Sequence, residues 1–249
     1  MESVFNQTWK NLELIVVDDA SDEPVKTVLA DIASEVPLKI IRNSHPKGAA
    51  ASRNIGIKHA EGEYVAGLDD DDSWHPERIE RLMKAFQSNF AAVTANDLLD
   101  FGQKSIVWKK KAVITLNDLL YYNCVGNQVL TKKEYVQKAG GYDENLTAAQ
   151  DYDLWIRLCQ HFGPIKNVSF PLQTVSMESE RKRITTSSKK LQGYGDCFEK
   201  HKEKMSKKQI SYQKYRLRLA KGNSVTWLEM FRLVPLHLFV KEIKRKLFL

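Results

Sequence analysis

Apolar and β-branched residues along this 249-residue chain come in short runs that stop at polar or acidic residues. Leu12-Glu13-Leu14-Ile15-Val16-Val17 ends at Asp18-Asp19, and Leu38-Lys39-Ile40-Ile41 ends at Arg42-Asn43. Between them, Val25 to Ser34 carries Val25, Val28, Leu29 and Ile32 at helical spacing, so the stretch reads strand–helix–strand. A second helix is expected from Ala49 to Ala60, closed by Gly62. Glu63-Tyr64-Val65-Ala66-Gly67-Leu68 reads as the next strand and runs into Asp69-Asp70-Asp71-Asp72. Pro76 to Gln87 reads as a helix, with Pro in its first turn and Ile79, Leu82, Met83 and Phe86 on one face. Phe90 to Thr94 is a further strand candidate. This alternation predicts an α/β fold, a Rossmann-like and mostly parallel sheet covered by helices.

From Thr115 the pattern changes to short helices and turns. Gln150 to Cys159 is helical by its Leu154, Trp155 and Leu158 spacing, with Thr147 and Gln150 placed for a capping box and Gly163-Pro164 as the stop. Residues 225–249 interleave apolar and basic groups: Trp227, Leu228, Met230, Phe231, Leu233, Val234, Leu236, Leu238, Phe239 and Val240, then Lys241, Lys244, Arg245 and Lys246, with a break at Pro235. Such a segment can lie flat on an anionic membrane or pack as helix on the body, and the pattern leaves both open.

Charge adds a division that hydropathy does not show. The net charge is +7, but Glu180 onward holds 19 Lys and Arg against 6 Asp and Glu, while residues 1–179 hold 19 against 25. The expected organisation is an acidic body over 1–179 and a basic, helical extension over 180–249. A basic extension meets something anionic: lipid head groups, nucleic acid or a pyrophosphate-bearing substrate. No recognition motif accompanies the charge, which argues against nucleic acid. The longest apolar runs are too short to span a bilayer and no signal-peptide pattern opens the chain. Cys124, Cys159 and Cys197 have no metal-ligand spacing, and a reducing, cytosolic setting is expected.

The four carboxylates at 69–72 repel one another and call for a cation. A hard divalent ion with oxygen ligands answers that need and usually brings a phosphate. In sheets of this class ligands bind beyond the carboxyl ends of strands. Asp18-Asp19 and Asp69 to Asp72 both sit there, so two acidic strand ends are expected to meet in one crevice.

Several stretches, in this order and spacing, resemble family 2 glycosyltransferases, the large inverting group with the GT-A fold. They are Asn6 to Glu13 running into Val16-Val17-Asp18-Asp19-Ala20-Ser21, Gly48 to Gly56, Gly62-Glu63-Tyr64, Leu68 to Trp74 with Pro76, Gly140 to Glu144, and Gln150 to Leu158. The resemblance covers roughly residues 3–180. It implies that Asp19, with Asp18 beside it, accepts a hydrogen bond from the nucleotide base, usually uracil, and that Arg53 faces the diphosphate. Asp69 and Asp71 take the ends of the Asp-x-Asp motif and would hold Mg²⁺ or Mn²⁺, with Asp70 near the ribose and Asp72 turned to solvent or capping the next segment. Asp151 matches the catalytic base. Gln150 stands where the family usually has Glu; Gln150, Trp155 and Arg157 are the acceptor-side candidates.

The resemblance implies transfer of a sugar from a nucleotide-diphospho-sugar, a UDP-sugar by preference, to an acceptor hydroxyl with inversion. With the basic tail, it implies a saccharide acceptor, polyprenyl-diphosphate-linked, in bacterial surface-polysaccharide (O-antigen or capsule) synthesis, and a cytoplasmic chain held peripherally at the inner face of the membrane. The family pattern normally opens with a strand and most of a helix before the point where Met1 stands, so this form is expected to lack a central strand. That, with Gln150, keeps a second reading open: a truncated, non-catalytic membrane-associated scaffold. Nucleotidyl transfer is a third, but its Gly-rich phosphate loop is not visible.

Overall fold

The computed structural model describes residues 1–28, 35–177 and 187–248. A short helix α1 (Glu2–Phe5) precedes β1 (Leu14–Asp18), α2 (Val25–Val28) and β2 (Leu38–Arg42). Then come α3 (Ala49–His59), β3 (Tyr64–Ala66), β4 (Ser73–Trp74), α4 (Arg78–Ala85), β5 (Ala92–Asp100), β6 (Ser105–Trp108) and β7 (Val113–Ile114). α5 (Leu116–Leu119), β8 (Leu130–Lys132), α6 (Lys133–Lys138), α7 (Gln150–Phe162) and β9 (Ile165–Ser176) complete the body. The basic extension forms α8 (Ser187–His201), α9 (Lys207–Ala220), α10 (Trp227–Leu233) and α11 (Leu236–Phe248). The expected boundary at 179/180, and the second half of the helix expected over Val25 to Ser34, lie outside the described residues.

The fold is α/β, as expected, but the sheet differs in two ways. β1 and β2 pair in parallel with each other alone, and a separate seven-stranded sheet runs β3-β8-β5-β9-β4, with β6 on β5 and β7 on β9. Within it only β5 and β9 are parallel; the other pairs are antiparallel. The expected mostly parallel sheet is therefore corrected to a mixed one. The reason is local: β5 returns as β6 through a tight turn at Gly102, and two-residue strands attach where no helical crossover is available.

β5 and β9 were the least legible strands. β5 extends past the expected Phe90 to Thr94 run, through the polar Asn96 and Asp97 and on to Asp100, and β9 continues past Pro171. Two register shifts, on either side of Asn96, place Pro171 at an irregularity, where a missing N–H costs the ladder nothing. Leu154, Trp155, Ile156 and Leu158 of α7 pack with Ile114, Val125, Val129 and Ile165 in the main core. Cys197, Phe198 and Met205 join the same core, so the start of the extension is packed into the body. A separate cluster of Tyr121, Tyr212, Tyr215, Val225, Met230, Val234 and Leu238 holds α9, α10 and α11 together.

Candidate active site

Asp18 and Asp19 stand at the end of β1, held by different donors. Asp18 accepts from the backbone N–H of Ser21 (2.9 Å) and Val25 (3.1 Å) and from Arg42. Burial pushes its carboxyl up, but these donors outweigh burial and hold it well below the usual carboxylate range. Asp19 accepts from Asn43 Nδ2 (2.7 Å), Lys47 N (2.9 Å) and Gly48 N (2.8 Å). It thus fixes the loop into α3, the helix that carries Arg53. Burial works against its charge as well, and those N–H donors still lower it.

Arg53 Nη2 donates to Asp69 Oδ1 at 2.8 Å, which brings α3 against the end of β3. Asp69 also accepts from Gln128 Nε2 (3.1 Å) and from Asn127 Nδ2 (2.9 Å). Gln128 comes so close to Gly67 that a Cβ there would stand 2.3 Å from its Oε1, which is why the strand carries glycine one residue before Leu68. Asp70 and Asp71 are exposed. Asp72 is not the solvent-facing residue expected: its Oδ2 accepts from Asn127 Nδ2 (2.8 Å) and Gln173 Nε2 (2.9 Å), and its Oδ1 from Ser176 N (3.2 Å). Burial lifts its carboxyl to about 6, with Asp69 and Asp71 adding to the rise and the Asn127 and Ser176 donors opposing it. The interior amides of Asn127 and Gln173 turn it inward.

Asp151 lies in the first turn of α7, and Asn123 Nδ2 lies 3.4 Å from its Oδ2. Burial raises its carboxyl above the ordinary range; the positive charge of Arg53 opposes this and the negative charge of Asp69 adds to it. Asp69, Arg53 and Asp151 therefore share one electrostatic neighbourhood. The capping box expected at Thr147 and Gln150 does not form. Ala149 caps the helix in a left-handed conformation (φ 60°), Thr147 Oγ1 donates to Lys189 O, and Gln150 Nε2 donates to Leu146 O. Among the described residues Ala20 (φ 62°) is the other non-glycine with positive φ, directly after Asp19. Strained backbone of this kind persists where the surroundings hold it, and here it follows Asp19 and opens the helix that carries Asp151.

Two acceptor-side expectations change. Trp155 is core: 2 % exposed, with Nε1 donating to Gly126 O at 2.9 Å. Arg157 spends its guanidinium on Asp153 (2.6 and 2.9 Å) and on Ala139 O, away from Asp151. It lines a cleft of about 350 Å³ with Asn54, Tyr142, Glu144 and Lys200. Sequence reasoning missed the loop at 123–128, whose amides reach Asp69, Asp72 and Asp151. It also missed the hold of α8 on α7. Asp153, fully buried, accepts from His201 Nε2 (2.8 Å) and Lys200 Nζ (2.9 Å), and a Cβ on Gly193 would lie 2.3 Å from the backbone N of Ala148. Neutral amides and a helix-borne glycine carry no sequence pattern that marks them.

The donors present suit a hard divalent cation in kind, since Asp69 and Asp71 offer carboxylate oxygens. Among the described residues no three His, Cys, Asp or Glu side chains form a cage.

A profile of the family described as Glycosyl transferase family 2 matches residues 1–142, more than half of the chain and all of the site except Asp151. The chain belongs to glycosyltransferase family 2. As a family 2 glycosyltransferase it is similar to the putative colanic acid biosynthesis glycosyl transferase WcaA of Escherichia coli K12, with 32 % identity over 94 % of this chain and 86 % of the relative. It is also similar to the UDP-Glc:alpha-D-GlcNAc-diphosphoundecaprenol beta-1,3-glucosyltransferase WfgD of Escherichia coli, 31 % identical over 64 % of this chain and 62 % of WfgD. Among solved structures, TarS 1-349 of S. aureus in complex with UDP superposes with a TM-score of 0.64 at 18 % identity, over 98 % of this chain and 72 % of that one. The mannosyltransferase PcManGT of Pyrobaculum calidifontis, in complex with GDP-Man and Mn²⁺, gives 0.59 at 15 % identity over 99 % and 75 %. At these identities the structural likeness carries the GT-A fold alone.

Proposed function

We propose that this family 2 glycosyltransferase moves a sugar from a UDP-sugar to a hydroxyl of a lipid-linked saccharide, with inversion, in the assembly of a surface polysaccharide. The observation that carries the reading is the contact of Arg53 with Asp69 at 2.8 Å, with Asp151 in the same electrostatic neighbourhood. Arg53 would bind the diphosphate through its planar fork. Asp19, tied to the loop before α3, is the residue for the base, with Asp18 behind it and Asp70 on the ribose side. Asp69 and Asp71 would hold Mg²⁺ or Mn²⁺. That ion, when bound, neutralises the departing diphosphate.

Asp151 then takes the proton of the acceptor hydroxyl as its oxygen attacks the anomeric carbon from the face opposite the diphosphate. Burial favours this role because it raises the basicity that a first-turn carboxylate would otherwise lose to the helix dipole. Gln150 stands beside it on the acceptor side. The lipid-linked acceptor is suggested by the diphosphoundecaprenol-linked acceptor in the name of WfgD and by the basic extension, which would hold the cytoplasmic chain peripherally at the inner membrane face. No helix among the described residues is long and apolar enough to cross a membrane.

Titration calorimetry with UDP, with and without Mn²⁺, tests the donor site. Binding that needs Mn²⁺ and is lost in Asp71→Asn is expected. A folded chain that ignores UDP under both conditions would end the proposal.

A further inference from the structure

The four most exposed large apolar side chains among the described residues all lie on α10 and α11: Leu236 (90 %), Leu228 (81 %), Phe231 (66 %) and Val240 (64 %). Leu228 and Phe231 are three residues apart on α10, and Leu236 and Val240 four apart on α11, so each pair shares a helix face. The Phe231 and Phe239 rings, 4.6 Å apart, join the two faces into one surface. The opposite faces are satisfied: Met230, Val234 and Leu238 are buried on Tyr121, Tyr212 and Tyr215. One face packs on the protein and the other is uncovered.

Charge identifies what covers it. Residues 207–249 carry 11 Lys and Arg but only two acids, Glu229 and Glu242. Both acids are neutralised within the fold. Glu229 pairs with Arg218 at 3.0 Å and closes the Thr226 capping box. Glu242, buried, accepts from Tyr212 (2.6 Å), Tyr215 (3.3 Å) and Arg245 (2.7 Å). Arg232, adjacent to Phe231 on α10, is exposed, and so is Lys221 at the end of α9. A second copy of this chain would bring the same positive rim against its own, which opposes self-pairing. An anionic bilayer matches both parts: acyl chains for the apolar face and phosphate for the rim.

We infer that the outer face of the α10–α11 elbow is a membrane-docking surface for anionic phospholipid, with Leu228, Phe231, Leu236 and Val240 entering the acyl boundary and Arg232 and Lys221 on the head groups. This deepens the reading of a membrane-held acceptor, on which it rests for its purpose only. The surface also has a physical link to the site. α9 and α11 pack on Tyr121 and Tyr122, directly before Asn123, which contacts Asp151.

Sedimentation of the full chain with phosphatidylglycerol-containing vesicles, compared with pure phosphatidylcholine vesicles, tests the inference without any turnover. Strong binding only to the anionic vesicles is expected. The pair Leu228→Glu and Phe231→Glu should weaken it about a hundredfold, and Arg232→Ala about fivefold. Each variant is checked by its melting temperature and by Mn²⁺-dependent UDP binding, so loss of fold or of the donor site is told apart from loss of docking. Equal binding to both vesicle types, unchanged binding in the double variant, or a stable dimer that Leu228→Glu dissolves would each overturn it.

Discussion

The carboxylates after β1 and two of those around β3 and α7 lie in opposite electrostatic settings. Asp18 and Asp19, after β1, are surrounded by backbone N–H groups, an amide and Arg42, and both carboxyls are lowered. Asp72 and Asp151, around β3 and α7, are raised chiefly by burial, with Asp69 adding to the rise in both. The first end is built to stay anionic and to fix loops. The second keeps carboxylates with basicity to spend, which is where proton transfer is useful. A run of acids in a sequence thus does not declare its chemistry; the supply of nearby donors decides it.

The largest expected effect that sharpens this contrast is at Asp151. Asp151→Asn should lower kcat roughly a thousandfold while leaving the melting temperature and UDP binding near wild type. Asp19→Ala should do the reverse in stability, because Lys47 N, Gly48 N and Asn43 lose their acceptor, at about 2–4 kcal/mol. Equal stability losses in both variants, by denaturant titration, would erase the distinction.

Gly193→Ala probes the second end from a distance. Its new Cβ would press on the backbone of Ala148, which leads through Ala149 into Asp151. A displacement near 1 Å predicts a fall in kcat of about a hundredfold, with calorimetric UDP affinity unchanged because no residue of the first end moves. A parallel loss of UDP affinity would mean that the two ends are not separable.

The smallest effect is in the pH dependence of stability, and its sign differs between the ends. Asp72 is raised to about 6, so it stabilises most below its unfolded pKa of about 4 and loses that contribution as pH rises through 6. Asp18 is lowered, so its contribution is present above about 4 and is lost as pH falls towards its folded value. Asp72→Asn should flatten the slope between pH 4 and 6, and Asp18→Asn the acid limb below 4, in urea titrations. Slopes of one sign in both variants would break the comparison.

Much of this was legible in order along the chain. The runs ending at Asp18 and Asp69, the helix bearing Arg53 and the helix opening at Asp151 follow from periodicity and punctuation, since both are local. Their assignment to a sugar-transfer site came through resemblance, which spans separate stretches. What could not be read was any partner chosen across the fold. Asn127 meets Asp69 and Asp72 from 58 and 55 residues away. Trp155 has the same spacing whether it faces a ligand or the core, and packing chose the core. The failure of the Thr147–Gln150 capping box has the same cause: Lys189 O, 42 residues on, took the threonine hydroxyl.

By itself the sequence determined the order of the first strands and helices, where negative charge accumulates and that the C-terminal part is basic, because these depend on neighbours within a few residues. The tertiary structure decided which carboxylates are tied down and which are basic. It also decided that β5 and β9 run parallel while their neighbours do not, and which face of α10 and α11 is left bare. Those outcomes depend on burial and on long-range donors, and they exist only once distant segments share one space.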